Sequence, residues 1–358
     1  MEDNEINDKR NLSEFKGVSF SKFKRSDVRK ELLNSLINSK IEQACYWSAE
    51  LICAGHYSFL WEIILYFFSK YIHLSNINIA IYLDLRINDF KTILNNGYTD
   101  NLLSLRNNVK IRRLFSEVMC VLIDSKRRHS FDIIKIKTDD LNMIHIKDKF
   151  KAPSTDYGNE IFCNEDPKEL FPFINELAYS LNIENKNQIN ACYWVEWIIE
   201  FENRCKLIKE KLVCERRIFS QVDSKFQKDI IWIIWDLFLR EADKRPKIIK
   251  KLMNILLMLF SNQYKSGCHK KRKNFLYLAI SLLCEHFILE KEIIRHSQLE
   301  LVNLIKSKID LIYKQIKINE ESTNTDYLFN GLNSNNLEKT IAKLEVMNTF
   351  GKSFVPRI

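Results

Sequence analysis

The sequence predicts an all-α protein built as two similar multi-helix halves, and three observations carry that expectation. Helix breakers are scarce: 358 residues hold 7 Gly and 5 Pro, too few for a fold rich in turns. Apolar residues recur at helical spacing in one run after another. The tetrapeptide Ala44-Cys45-Tyr46-Trp47 returns as Ala191-Cys192-Tyr193-Trp194, displaced by 147 positions. Each copy opens an apolar run and is soon followed by an acid, Glu50 or Glu196. Cys, Tyr and Trp are uncommon residues, so their recurrence in one order reads as two related halves, each opening on the same buried helix. A HEAT-like stack and a cyclin-like bundle are the alternative topologies.

Taken in order, residues 1–20 are polar and expected to be loose. Ser26 can cap a helix striped by Val28, Leu32, Leu33 and Leu36. The first signature helix covers about 40–54, is apolar on most sides and so belongs inside. Gly55 ends it. A helix from Ser58 to His73 keeps one polar seam, Glu62, Tyr66, Ser69 and His73. Further helices are expected over 77–95 and 100–125. Partial alternation suggests a short β-hairpin near 131–146. Pro and Gly cluster from Pro153 onward, marking a linker at 153–167 between halves 21–152 and 168–318. The second half reads as helices over 168–182, 188–212, 225–241, 246–264, 274–290 and 292–318. A flexible spacer (319–335), a short helix capped by Asn336 (to about 348) and a tail complete the chain.

Apolar residues make up 46% of the sequence, enough for a sizeable core, which excludes wholesale disorder. Nine Cys, an odd number without framework spacing, read as free thiols in a reducing, intracellular setting. The acidic start Met1-Glu2-Asp3 is not a signal peptide. Leu51 to Ser69 carries only Glu62 and His56 as ionisable groups, but the Gly55-His56 break makes two core helices the better reading. No membrane insertion is expected.

No catalytic signature stands out. Glu50, Glu62, Glu196 and Asp236 lie in apolar helices beside aromatic residues. Such acids serve acid–base chemistry when burial raises their pKa, or they bond Tyr and Trp donors in a core. Cys53/His56, Cys268/His269 and Cys284/His286 lack the paired spacing of a zinc site. Phosphate-binding glycine loops are absent. No metal or cofactor is therefore expected, and no catalytic residue is assigned. The net charge of +9 is concentrated in clusters. Among them Lys126, Arg127 and Arg128, and Lys265 with Lys270, Lys271, Arg272 and Lys273, are the candidate nucleic-acid contacts.

At Lys40 to Trp47, at Leu60-Trp61-Glu62-Ile63-Ile64 and at Asn190 to Glu202 the chain resembles conserved proteins of nucleocytoplasmic large (giant) DNA viruses. The resemblance spans about residues 22–260 and rests on phrases, without a catalytic motif. It implies an intracellular viral protein of the infected host cytoplasm or viral factory. The function expected is a non-enzymatic helical interaction protein: a scaffold or accessory factor of viral replication, transcription or assembly, with other proteins as partners. A nucleic-acid-binding factor is the alternative, and a metal-dependent hydrolase comes third.

Overall fold

A computed structural model of the chain describes residues 4–141, 146–210, 212–219, 221–289 and 292–321, and every regular element among them is helical. The α-helices are α1 (Arg25–Ile37), α2 (Ile41–Cys53), α3 (Tyr57–Phe67), α4 (Asn78–Asn95), α5 (Val109–Asp124) and α6 (Phe171–Leu181). They continue with α7 (Gln188–Leu207), α8 (Ile231–Asp243), α9 (Lys247–Ser261), α10 (Cys268–Lys271), α11 (Lys273–Cys284) and α12 (His296–Lys317). The all-α class is as expected. The β-hairpin is not: residues 131–137 are irregular and Thr138–Leu141 form a 3-10 turn. Residues 142–145, which also carried that expectation, fall outside the described residues. The reason is local. Backbone donors of this stretch go to side chains, Ile134 to the Tyr277 hydroxyl (3.0 Å) and Lys137 to Asp140 (3.2 Å), so no second strand is recruited.

The chain forms two compact units that interleave in sequence. Of the described residues, the first holds those from 4 to 63, 88 to 124 and 294 to 321; the second holds those from 64 to 87 and 125 to 293. The expected linker at 153–167 falls inside the second unit. There, Gly158 donates to Asn175 Oδ1 (3.0 Å), and Lys151 and Ala152 donate to Glu176 on α6.

In the first unit α2 is the central helix, packed by α1, α5 and α12. Residues 4–20, expected to be loose, are instead folded onto it. Ile6, Phe15 and Phe20 are buried, and a buried Asp8–Arg10 pair (2.5 Å) ties this segment to the end of α12 through the Asn319 carbonyl (3.2 Å). Sparse but well-placed aromatic residues do this, below the level that composition reveals. The helix α1 begins at Arg25 with no side-chain cap. An isolated bridge between Val18 and Lys24 already fixes the entry, leaving Ser26 no capping role. At the other end of α2, Gly55 (φ 74) closes a Schellman turn, with His56 N–H on Leu51 O (2.8 Å) and Gly55 N–H on Ile52 O (3.0 Å).

In the second unit α7 packs on α6 and α11, and α8 packs on α9. The helix foreseen over 58–73 ends early as α3. A π-helical turn (Phe68–Ile72) and a 3-10 turn (His73–Asn76) follow it. His73, the first residue of the 3-10 turn, has φ 50, ψ −135 and is 1% exposed. Neither of its ring nitrogens has a hydrogen-bond partner among the described residues, and burial lowers its pKa to about 4. The folded ring therefore stays neutral where the unfolded histidine, near 6.5, takes a proton. Stability should fall as pH drops from 6.5 towards 4, by up to about 3 kcal/mol at the bottom of that window. Unfolding titrations of the chain and of His73→Leu should diverge in that window and run parallel above it.

The two signature helices are built alike. Trp47 and Trp194 are 4% and 2% exposed. Each is met edge-on by the tyrosine before it, at 5.2 and 5.1 Å between ring centroids. Their N-cap residues have nearly the same backbone, φ −91 ψ 86 at Lys40 and φ −87 ψ 90 at Asn187. A left-handed residue precedes each, Ser39 (φ 57) and Lys186 (φ 45). Each cap N–H reaches back to a buried serine at the end of the preceding helix, Lys40 to Ser35 O (2.9 Å) and Asn187 to Ser180 O (2.8 Å). Those serines each donate to the carbonyl four residues back, Glu31 (2.7 Å) and Glu176 (2.8 Å). So a second phrase is shared: Glu31-Leu32, Ser35-Leu36 against Glu176-Leu177, Ser180-Leu181. The second turn is two residues longer, so the two phrases stand at different offsets from the tetrapeptides that follow them.

Candidate functional site

The acids singled out as possible catalysts are the first places to look, because chemistry needs a carboxylate with a free lone pair and access. Glu50 has neither. It lies on the inner face of α2, 0% exposed. Its Oε2 accepts from Ser19 Oγ (2.7 Å) and Ser21 N (3.0 Å), and its Oε1 from Ser21 Oγ (2.5 Å) and Tyr46 OH (3.2 Å). Burial pushes its pKa up, and these donors act against that shift. The arrangement fastens residues 19–21 to the signature helix. Glu196, on α7, is ion-paired to Lys273; burial again raises its pKa and Lys273 opposes it. Asp236 on α8 accepts from Arg217 (3.0 Å) and Arg240 (3.2 Å). Glu62 is half-buried on α3.

One cluster of linked titratable groups emerges that the sequence did not single out as a unit. Tyr264 OH donates to Asp229 Oδ2 (3.0 Å) and meets His269 Nδ1 (3.2 Å). The other ring nitrogen of His269 lies 2.9 Å from Glu202 Oε2, and Glu202 Oε1 takes Lys206 Nζ at 2.7 Å. The local sequence explains the geometry. Gly267, at φ 80, turns the chain into the short α10, which points His269 inward while Lys270 and Lys271 face out. Glu202 and Lys206 are one turn apart on α7. Burial acts to raise the Glu202 pKa, but His269 and Lys206 outweigh it and hold the carboxyl below its usual range. Burial raises the pKa of both Asp229 and Tyr264. Glu202 and His269 border a cavity of about 10 Å³ with Ile198, Ile199, Ile230, Ile231 and Ile234. That is at the lower limit for one water molecule. This chain of bonds anchors the basic loop on α7. Only its members' separation in sequence, 202 to 269, hid it.

The basic residues divide by what their side chains meet. Lys265, Lys270 and Lys271 are exposed. Arg272 is 4% exposed and donates to the Phe260 carbonyl, and Lys273 pairs with Glu196. Arg127 lies over the Phe67 ring (5.7 Å), half-buried, and burial lowers its pKa. Arg128 pairs with Glu285 (2.5 Å), and Lys126 is exposed. The loop adjoins the start of α11 and Glu285 follows its end, so the 12-residue helix separates the two clusters by about 18 Å. They are two patches, one at each end of α11.

Of the thiols weighed as metal ligands, one is fully buried and two, Cys268 and Cys284, are half-buried. Cys53 is buried, and His56 Nε2 lies between the Phe15 and Val18 carbonyls (3.0 and 2.7 Å). Burial pushes the Cys284 thiol up to about 12. No helix among the described residues is long and apolar enough to cross a membrane.

Fold and site together define an all-α chain of two compact units whose signature acids are engaged in packing. Comparison with family models, with curated proteins and with solved structures returned no match.

Proposed function

We propose that this chain is a helical interaction protein, a scaffold or accessory factor, and, on its resemblance to proteins of giant DNA viruses, one of viral replication, transcription or assembly in the infected cytoplasm. The observation that carries the reading is Glu50: the acid of the signature helix is sealed from solvent by four hydrogen bonds, so it fixes structure. Asp236 and Glu196 each pair with cations of the same unit. Affinity capture of the tagged full chain, with and without nuclease, tests it. A stoichiometric protein partner that survives nuclease is expected. A turnover by the purified chain that Glu50→Gln or Asp236→Asn abolishes would end the proposal.

The exposure of Lys265, Lys270 and Lys271 on a loop held from beneath by His269 and Arg272 favours nucleic-acid contact as a second reading. Replacing the three lysines with Gln should then flatten the plot of log affinity against log salt, by about 0.9 per lysine on duplex DNA. Fluorescence anisotropy with a labelled duplex measures it. An unchanged slope, or no salt-dependent binding near physiological ionic strength, removes this reading.

A further inference from the structure

Between α3 and α4 a π-helical turn (Phe68–Ile72) runs into the 3-10 turn His73–Asn76. The junction falls on His73, at a positive φ that glycine adopts readily and histidine does not. Residues three apart in a 3-10 turn eclipse, so the His73 and Asn76 side chains share one face. They are 1% and 2% exposed, and both ring nitrogens of His73 and the Asn76 Oδ1 lack a partner among the described residues. The two turns pack on α11, and Glu285 follows that helix directly. Its Oε2 takes Arg128 Nη2 (2.5 Å), while its Oε1 is buried without a partner among the described residues. Arg128 in turn belongs to a segment clasped to the π-helical turn. Its N–H donates to Tyr71 O (2.9 Å) and that of Ser130 to Lys70 O (2.8 Å). His129, between them, meets the Tyr71 ring edge-on at 4.8 Å.

We propose that His73, Glu285 and Arg128 form an acid-operated latch: protonated His73 takes the Glu285 carboxylate, Arg128 is displaced, and residues 128–130 lift off the π-helical turn. The case is one of competition. Glu285 at the end of α11 and Arg128 in the clasped segment are the charged groups that act on the His73 ring, the first favouring a proton there and the second opposing it. Lys70 is turned to the Tyr66 hydroxyl (3.0 Å). At neutral pH the ring carries no charge and Glu285 is left to Arg128. A proton on a ring buried without an acceptor demands one, and Glu285 Oε1 is an unpartnered carboxylate oxygen. Two cations then meet one carboxylate and repel each other across it. Arg128 is the one that leaves, because its side chain is already 47% exposed and regains water at little cost. Opening also lets the backbone at His73 abandon its positive φ. Acid thereby turns a paired arginine into an available one. The sign follows from the ring, near 6.5 when open and about 4 when closed. The closed latch is favoured above the first value and lost as pH falls towards the second.

Hydrogen exchange on the full chain, resolved to single amides and corrected for the intrinsic rate at each pH, tests the proposal at Arg128 and Ser130. Their protection should fall about 30-fold between about pH 7.5 and about pH 5. The fall should be the same in dilute urea, the mark of a local opening that exposes little surface. His73→Leu should remove the pH dependence. Glu285→Gln should lower the same two protections already at neutral pH. Protection of the α8 amides, kept in both variants, verifies that the unit is folded. A fall that steepens with urea in step with α8 would show the whole unit opening, and would overturn the proposal. So would protection that ignores pH in the unmodified chain, a pH dependence that survives His73→Leu, or neutral-pH protection that Glu285→Gln leaves unchanged.

Discussion

Glu50→Ala should unfold the first unit's N-terminal clasp and cost about 4 kcal/mol of stability. The substitution removes one carboxylate and strands two serine hydroxyls, the Ser21 amide and the Tyr46 hydroxyl in a dry interior. Each buried donor left without an acceptor costs about 1–3 kcal/mol, and the hydroxyls can turn to recover part of it. Glu50→Gln keeps one acceptor oxygen and should cost far less, about 1–2 kcal/mol. Its cost should shrink further as pH rises. The folded pKa of Glu50 is raised by burial, so ionising it disfavours the fold above the unfolded pKa near 4.5, and Gln escapes that penalty. Hydrogen exchange of the 41–53 peptide reports the loss within this unit, which matters because a chain of two units need not unfold in one step.

The second large effect is expected at Arg217. Its guanidinium is 5% exposed and bonds Asp166 (2.7 Å), whose side chain is fully buried, as well as Asp236 (3.0 Å) and the Ile161 carbonyl (3.1 Å). Asp166 in turn accepts from Cys163 N and Glu215 N (both 2.8 Å), so one pair pins residues 161–166 and 215–217 together. Arg217→Met leaves a buried carboxylate without its cation, which typically costs about 3–5 kcal/mol. The irregular residues 212–219 should become protease-sensitive. Lysine restores the charge but not the planar fork, so Arg217→Lys should recover only part of the loss. Limited proteolysis with mapping of the cut sites distinguishes the three chains. Equal resistance in all of them would show that the pair contributes nothing.

What the sequence disclosed and what it withheld follow from range. Helices with a strong period were legible from their own residues: α2, α4 and α9 stand close to their expected bounds, and α7 starts where expected at Gln188 but ends at Leu207, short of the expected 212. So was the burial of Trp47 and Trp194, since a helix apolar all round has nowhere else to go. Ends were less legible. The helix α3 stops at Phe67, and α8 starts at Ile231 after a separate 3-10 turn. The misread segments are those fixed by distant partners. Residues 4–20 look polar, yet Arg10 is buried because Asp8 neutralises it and the Phe15 and Phe20 rings lie 4.8 and 4.7 Å from its guanidinium. Arg272 and Lys273 read as exposed charge in a basic run, and their carbonyl and carboxylate partners lie 12 and 77 positions away. Arg245, also in a basic run, turns inward to Glu241 (2.9 Å) and to the last carbonyl of α6, that of Leu181 (2.5 Å). A pattern along the chain cannot register a partner that only folding brings near.

The most direct test of this account is native-state hydrogen exchange on the full chain, resolved to the two signature helices. If Glu50, Tyr46 and Trp47 in one unit, and Trp194 with its neighbours in the other, hold the fold together, the amides of 45–52 and 192–199 should be the slowest in their units. They should exchange only when that unit opens as a whole. Faster exchange there than in α12 or in residues 212–219 would show that these helices open on their own, and would contradict the role given to them.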